Sequence, residues 1–171
     1  MSDFVNSFDI LGDDAVTDSI LKRTINSYFD NTVIKIGQRA FYECSELVSV
    51  DLPNVTSMEE YAFGYCSKLV SVDLPNVTSI GQKAFYYCSK LTTLILRSET
   101  MCTLGTLVFK STPIESGTGY IYAPRILLSD DDSTKDYRRA NRWSALANQF
   151  RALEDYTVDG TITGELDPNK I

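Results

Sequence analysis

The amino-acid sequence predicts an α/β repeat solenoid of short coils around one hydrophobic core. Three consecutive stretches, which begin at Ile36, Met58 and Ile80, repeat nearly the same sequence with a period of 22 residues and no gap. Apolar residues return at each period: Ala40, Ala62 and Ala84; Phe41, Phe63 and Phe85; Leu47, Leu69 and Leu91; Leu52, Leu74 and Leu96. A fixed period of this length is typical of solenoids, in which each coil buries its apolar side chains against its neighbours.

The composition limits the classes of function. The chain has 171 residues, of which 43% are hydrophobic and 23% charged, as in folded soluble proteins. Its net charge of −7 argues against nucleic acid or an anionic membrane as a partner, because both require a basic patch. The chain has no histidine, the most frequent general base and zinc ligand. We therefore predict no catalytic residues, no metal and no cofactor.

Residues 1–32 precede the repeats and are predicted to form an N-terminal cap and attachment segment. Asp13 and Asp14 stand before a short helix predicted over residues 15–23. The segment has no basic start followed by a long apolar run, so we expect no signal peptide. No stretch of the chain has the length of a transmembrane helix, so we expect no membrane insertion.

Residues 33–124 are predicted to form the solenoid. In the first repeat, the segment from Gln38 to Cys44 forms one helical turn, and residues 47–52 form a strand of a small parallel sheet. Ile36 and Gly37 open a turn, and Pro53 ends the strand because it has no N–H to donate. A fourth, looser copy follows from Leu104, with Thr112 in the cysteine position and the last strand over residues 120–123.

The cysteines are predicted to pack in the core. Cys44, Cys66 and Cys88 occupy one position in three successive coils, where free cysteine packs as a small hydrophobic side chain. A disulfide between stacked neighbours would require that their side chains also point toward one another. We expect Cys102 to be buried as well.

Residues 125–155 are predicted to form a C-terminal helical cap. Its apolar residues recur at steps of three or four, as on one face of a helix, and division at Asn141 into two short helices is the alternative. The apolar residues are Tyr137, Ala140, Trp143, Ala147, Phe150 and Leu153. The preceding acidic run, residues 130–132, suits the positive end of a helix. A cation site there is the alternative, but the run lacks the alternating ligands of a calcium loop. Residues 156–171 are predicted to form a hairpin with its turn at Asp159 and Gly160, followed by a polar tail.

The repeat pattern I-x-x-x-A-F-x-x-C-x-x-L-x-x-V-x-L-P resembles the BspA-like class of leucine-rich repeats. The third copy departs from it, with Leu94 in place of valine and Arg97 in place of proline. The spacing of Tyr137, Ala140 and Trp143 resembles the segment that often closes such arrays in gut bacteria and their phages. The resemblance covers residues 33–155 and implies a right-handed leucine-rich repeat coil. It also implies a relationship to phage or prophage tail-associated proteins and bacterial surface proteins.

The outward positions of the predicted strands form the candidate ligand-binding face. Solenoids commonly bind through such a face, and exposed tyrosines can hold proteins or sugars by flat apolar contact. The alternatives are a plain solvated sheet and tyrosines that pack between coils. The candidate residues are Ser49, Asp51, Ser71, Asp73, Thr93 and Ile95 on the strands, with Tyr65 and Tyr87 beside the buried ladders.

The sequence therefore predicts a non-enzymatic binding or structural protein. Family analogy favours a phage or prophage virion component of the tail or host-recognition apparatus, assembled in the host cytoplasm. Its expected partners are other virion proteins or a host surface protein or glycan, with a homo-oligomer as a further candidate. The alternative is a bacterial adhesin, or a fragment of one, at the cell surface. An enzyme would need acid–base residues that converge on a pocket, and the sequence shows none.

Overall fold

The structure, a computed structural model, describes residues 10–11, 33–129, 133–158 and 161–162. This part of the chain contains two five-stranded parallel sheets and one antiparallel strand pair. The strands in chain order are β1 (Ile10–Leu11), β2 (Lys35–Ile36), β3 (Ser49–Asp51), β4 (Ser57–Met58), β5 (Ser71–Leu74), β6 (Ser79–Ile80), β7 (Thr93–Leu96), β8 (Thr103–Leu104), β9 (Tyr120–Ala123), β10 (Phe150–Ala152), β11 (Thr157–Val158) and β12 (Thr161–Ile162).

Each repeat contributes one strand to each parallel sheet. The first sheet has the order β1-β2-β4-β6-β8, and the second has the order β10-β9-β7-β5-β3. Residues one period apart lie opposite one another, such as Ser49 and Ser71, or Ile36 and Met58. The prediction of one small sheet is therefore incomplete. The residues assigned to a turn at Ile36 instead end a short strand that pairs with its equivalents.

The segment that follows β2, β4, β6 or β8 is a double turn, and the predicted helical turn is wrong. Arg39 and Glu43 have positive φ values of 54° and 58°, which a right-handed helix cannot contain. Alternate N–H groups donate instead to the next coil, as Phe41 N–H does to Ala62 O at 2.8 Å. The equivalent left-handed residues of the later coils are Tyr61, Tyr65, Lys83, Tyr87, Leu107 and Ser111.

A stack of phenylalanine rings runs through the core, as the sequence predicts. The Phe41 and Phe63 rings are parallel with centroids 4.8 Å apart, and Phe63 stacks on Phe85 at 5.6 Å. Phe109 extends the stack at 5.8 Å from Phe85. These rings are buried, so the stack joins four successive coils into one apolar core.

The cysteine ladder is confirmed, since all four cysteines are free and buried. The Cys66 thiol donates to Phe41 O at 3.1 Å, and the Cys88 thiol donates to Phe63 O at 3.0 Å. Thr112 occupies the equivalent position in the fourth repeat, where its hydroxyl donates to Phe109 O at 2.7 Å. A small donor side chain at this position therefore satisfies a buried carbonyl group.

We expect thiol reagents to miss these cysteines in the native protein. Burial raises the pKa of the Cys66 thiol well above its ordinary value and raises the pKa of Cys102 to about 12. The reactive thiolate is therefore scarce at neutral pH. A thiol-specific reagent should label all four cysteines only after denaturation, whereas Ser45→Cys, at an exposed position, should react at once. Rapid labelling of the unaltered native protein, or tightly bound zinc, would contradict the ladder.

The C-terminal region packs on the last coil without the predicted amphipathic helix. Trp143, Tyr137 and Phe150 are buried, but Arg142 has a φ of 65°, so no continuous helix joins Tyr137 to Trp143. The prediction that β9 is the last strand of its sheet is wrong, because β10 pairs with β9 in parallel. The helices of the described residues are short: α1 (Pro113–Ser116) within the fourth repeat, and 3-10 helices at Arg125–Leu128, Ser133–Lys135, Trp143–Gln149 and Leu153–Asp155.

Some predictions fall on residues outside the described part of the chain. They are the N-terminal helix over residues 15–23, the side chains of the acidic run at 130–132, and the turn at 159–160. β1 pairs in parallel with β2, and β11 pairs with β12 in antiparallel register. No helix among the described residues has the length and apolar character needed to cross a bilayer.

Candidate functional site

The second sheet places one row of predicted site residues on its outer side. Ser49, Ser71 and Thr93 lie opposite one another on β3, β5 and β7, and Tyr120 continues the row on β9. Ser49 and Tyr120 are exposed, whereas Ser71 and Thr93 are half-buried. The intervening residues of these strands point into the core, as the two-residue strand period requires.

The other outward row is not an open polar surface. Asp73 accepts two hydrogen bonds from Arg97, at 2.9 Å from Nε to Oδ1 and 2.8 Å from Nη2 to Oδ2. Ile95 is only 5% exposed, so its assignment to an exposed face is wrong. Ile95 lies beside Tyr122, whose ring packs on that of Tyr156 at 4.5 Å, and this aromatic packing continues the core onto the outer side. Asp51 stands opposite Asp73 in register.

Tyr65 and Tyr87 belong to a different surface, on the double turns. Their rings are nearly parallel, with an interplanar angle of 15° and centroids 5.2 Å apart. Tyr42 and Tyr86 meet Tyr65 edge to face at 5.4 and 5.7 Å. Tyr61 contacts both Tyr42 and Tyr86, at 5.8 and 5.7 Å. We call these five residues the tyrosine cluster.

Two cations lie against rings of the tyrosine cluster. The Arg39 guanidinium lies 5.2 Å from the ring centroid of Tyr42 and 5.6 Å from that of Tyr61. The Lys83 ammonium lies 4.8 Å from the Tyr61 centroid and 5.8 Å from that of Tyr86. Such cation–π contacts favour the charged forms and hold the rings in place. A hydrogen bond with Tyr61 accordingly raises the pKa of Lys83.

The backbone of the double turn explains how the rings approach one another. A Cβ atom at Gly64 would lie 2.9 Å from the Tyr61 ring and 3.1 Å from the Tyr42 ring, so a larger residue there would push the rings apart. Desolvation and the neighbouring tyrosines raise the pKa of Tyr65, so its hydroxyl stays protonated at neutral pH and can both donate and accept hydrogen bonds.

The sequence interpretation missed three members of this surface. Arg39, Tyr61 and Lys83 share one repeat position, 22 residues apart, and alternate cation, ring and cation. The period alone places them side by side, so this signal was available. The described residues contain no group of three or more histidine, cysteine or acidic residues that could hold a metal ion.

Comparison with known families agrees with the repeat architecture. The family model for the BspA type leucine-rich repeat region matches residues 18–120 in six copies. The match begins before residue 33, inside the segment predicted as a cap. Its six copies exceed the four that the sequence pattern indicates. No curated protein matches the sequence. Repeats of this kind typically serve as non-enzymatic scaffolds for protein binding or structure. Because the match covers more than half of its residues, the chain belongs to the BspA-type leucine-rich repeat family.

Proposed function

We propose that the protein is a non-enzymatic binding protein whose main recognition surface is the tyrosine cluster. The observation that carries this proposal is the partial exposure of mutually packed rings: Tyr65 is 37% exposed and Tyr87 is 44% exposed. Scattered apolar side chains are normal on a surface, whereas a contiguous aromatic patch is typical of an interaction site. Tyrosine suits such a site because a flat apolar ring ends in a polar hydroxyl group.

The tyrosine cluster is held in place before any ligand arrives. Its backbone lies within the ladder of hydrogen bonds between coils, as between Tyr65 N–H and Tyr86 O at 2.7 Å. Its rings also restrain one another, with Tyr86 and Tyr87 only 4.7 Å apart. A rigid surface loses little conformational freedom on binding, which favours affinity.

Within this role, the protein is a phage or prophage virion component of the tail or host-recognition apparatus, located in the virion. Its partners are other virion proteins or a host surface protein or glycan. The family and the aromatic surface support this assignment, and they equally support a bacterial cell-surface adhesin. Mass spectrometry of purified virions and of intact, surface-digested bacteria distinguishes the two. Peptides of the chain from virions support the first role, and peptides released from the cell surface support the second.

The double change Tyr65→Ala and Tyr87→Ala should weaken binding to whole cells or cell-wall glycans of candidate hosts by about tenfold or more. The reason is that exposed aromatic anchors carry a large share of binding free energy. Tyr120→Ala is the matched control, because Tyr120 is 40% exposed but lies on β9, outside the tyrosine cluster. Binding should be measured by sedimentation with cells and by calorimetry with purified glycan.

Other outcomes would change the proposal. If Tyr120→Ala weakens binding and the double change does not, the strand face is the recognition surface. If the protein binds no cell or glycan but assembles tightly with virion proteins, its role is architectural. Hydrolysis of a wall polymer would refute the non-enzymatic function.

A further inference from the structure

The last coil ends in a groove that the C-terminal residues described in the structure leave open. The groove lies between the fourth double turn and the 3-10 helix Trp143–Gln149, and its volume is about 390 Å³. We call it the end groove. Its lining is mainly apolar, with charged side chains at its margin, and includes Leu107, Phe109, Leu146, Lys110 and Arg142.

Each earlier double turn donates its N–H groups to the next coil. In the first repeat, the N–H groups of Arg39, Phe41 and Glu43 donate to carbonyl oxygens of the second repeat at 2.8 to 3.0 Å. The second and third repeats do the same, as Phe63 N–H does with Ala84 O and Phe85 N–H with Val108 O. Donors and acceptors both recur every two residues, which is also the spacing of carbonyl groups along one side of an extended chain.

The fourth double turn has the same donors, but no further coil follows it among the described residues to accept their hydrogen bonds. The equivalent groups are the N–H groups of Leu107, Phe109 and Ser111. Ser111 N–H donates to the carboxylate of Glu115 at 2.8 Å. Within the described part of the chain, the N–H groups of Leu107 and Phe109 have no acceptor. Backbone donors in proteins are nearly always satisfied, by protein groups or by water.

Other backbone groups at the end of the last coil form hydrogen bonds with side chains. The indole N–H of Trp143 donates to Cys102 O at 2.7 Å, and the Tyr137 hydroxyl accepts from Cys102 N–H at 2.7 Å. The Arg142 guanidinium donates to Leu104 O at 2.8 Å. The backbone groups of Cys102 and Leu104 thus have partners at the outer edge of the last coil. The two open donors, the N–H groups of Leu107 and Phe109, lie at the end groove.

We propose that the end groove binds an extended peptide segment of a partner protein. Two carbonyl oxygens of the peptide, two residues apart, accept the N–H groups of Phe109 and Leu107, as a fifth coil would. An apolar side chain of the peptide packs against Leu107 and Leu146, and Leu107 is available because it is 53% exposed. Addition of a peptide to an open backbone ladder is a common mode of recognition.

Charge and size also favour this occupant. Lys110 and Arg142 lie at the groove, so an acidic residue beside the apolar side chain is favoured, although Glu115 pairs with Lys110 at 3.3 Å. The volume lies near the lower end of the range for ligand pockets, which suits one side chain and its adjoining backbone. This site is separate from the tyrosine cluster and serves attachment to another protein.

The test uses a peptide that already carries the required acceptors. Residues 59–65, EEYAFGY, supply the carbonyl groups that accept hydrogen bonds from the N–H groups of the first double turn. This peptide, acetylated and amidated at its ends, should be titrated into the isotopically labelled full chain. We expect the amide proton resonances of Leu107 and Phe109 to move downfield and their hydrogen exchange to slow. A scrambled peptide should produce neither change.

Matched variants locate the binding site. Ala145→Trp fills the groove and should weaken peptide binding about tenfold or more, whereas Ser144→Trp, on the exposed neighbour that does not line the groove, should not. The double change Tyr65→Ala and Tyr87→Ala should leave peptide binding unaltered, so this proposal and the proposed recognition surface can fail separately.

Three results would overturn the proposal. The first is an absence of shifts at Leu107 and Phe109 at millimolar peptide. The second is strong exchange protection of these amides in the free monomer, which would show that the donors are not open. The third is self-association that Ala145→Trp abolishes, because the occupant would then be a second copy of this chain.

Discussion

Phe63→Ala is expected to lower the free energy of unfolding by about 3–5 kcal/mol, the usual cost of removing a fully buried phenylalanine ring. The Phe63 side chain is fully buried, and its ring stacks between those of Phe41 and Phe85. The backbone on either side is held by Phe63 N–H to Ala84 O and by Phe41 N–H to Ala62 O, both at 2.8 Å. These bonds limit the collapse of neighbouring coils into the cavity, so we expect the upper part of the range.

Denaturant unfolding followed by far-ultraviolet circular dichroism measures this change. Val48→Ala is the control, because Val48 is 54% exposed and should alter the free energy of unfolding by no more than about 0.5 kcal/mol. A loss below about 1 kcal/mol for Phe63→Ala would show that the phenylalanines do not form the core.

The inward-facing residues could be predicted because burial imposes the same requirement on every coil. The ladders of Phe41, Cys44 and Leu52 recur with one period, and the stacked coils bury all of them. The first sheet could not be predicted in the same way. Its strands have two residues each, too few for any period to show, and their pairing depends on the stacking of whole coils.

The residue types in the double turn did not indicate its backbone conformation. Positive φ values are expected at glycine or asparagine, whereas Arg39, Glu43 and Tyr65 adopt them here because hydrogen bonds to the next coil hold the turn. The C-terminal stripe was misleading for a similar reason. Its spacing fits a helix, but Trp143 and Tyr137 are buried on separate short segments that meet at Arg142, which has a positive φ.

The candidate site was predicted in part. Ser49, Ser71 and Thr93 lie in one outward row, as the strand period requires. Asp73 was predicted on the outward ligand-binding face, where the long side chain of Arg97, from the next repeat, bonds to its carboxylate. Ile95 breaks the polar pattern of its row, and its apolar character was the signal that it would be covered.

Removal of residues 125–171 is expected to abolish cooperative unfolding and to cause aggregation. β10 pairs with β9, so its loss opens the edge of the second sheet, and open strand edges promote association. Trp143 covers Phe109 at the end of the phenylalanine stack, with ring centroids 6.2 Å apart. The Phe150 ring packs on those of Trp143 and Tyr137 at 5.7 and 5.3 Å. The truncated chain would therefore expose the end of its core to water.

Point variants separate the packing of this region from its hydrogen bonds. Trp143→Phe keeps a ring but leaves the buried Cys102 carbonyl group without its donor, so we expect a loss of about 1–3 kcal/mol. Trp143→Ala also removes the ring and should cost about 3–5 kcal/mol. Thermal melts and size-exclusion chromatography should then rank the proteins in the order unaltered chain, Trp143→Phe, Trp143→Ala and truncation. A monomeric truncated chain with an unchanged melting temperature would show that the repeats close themselves, and that the C-terminal segment has a role other than stability.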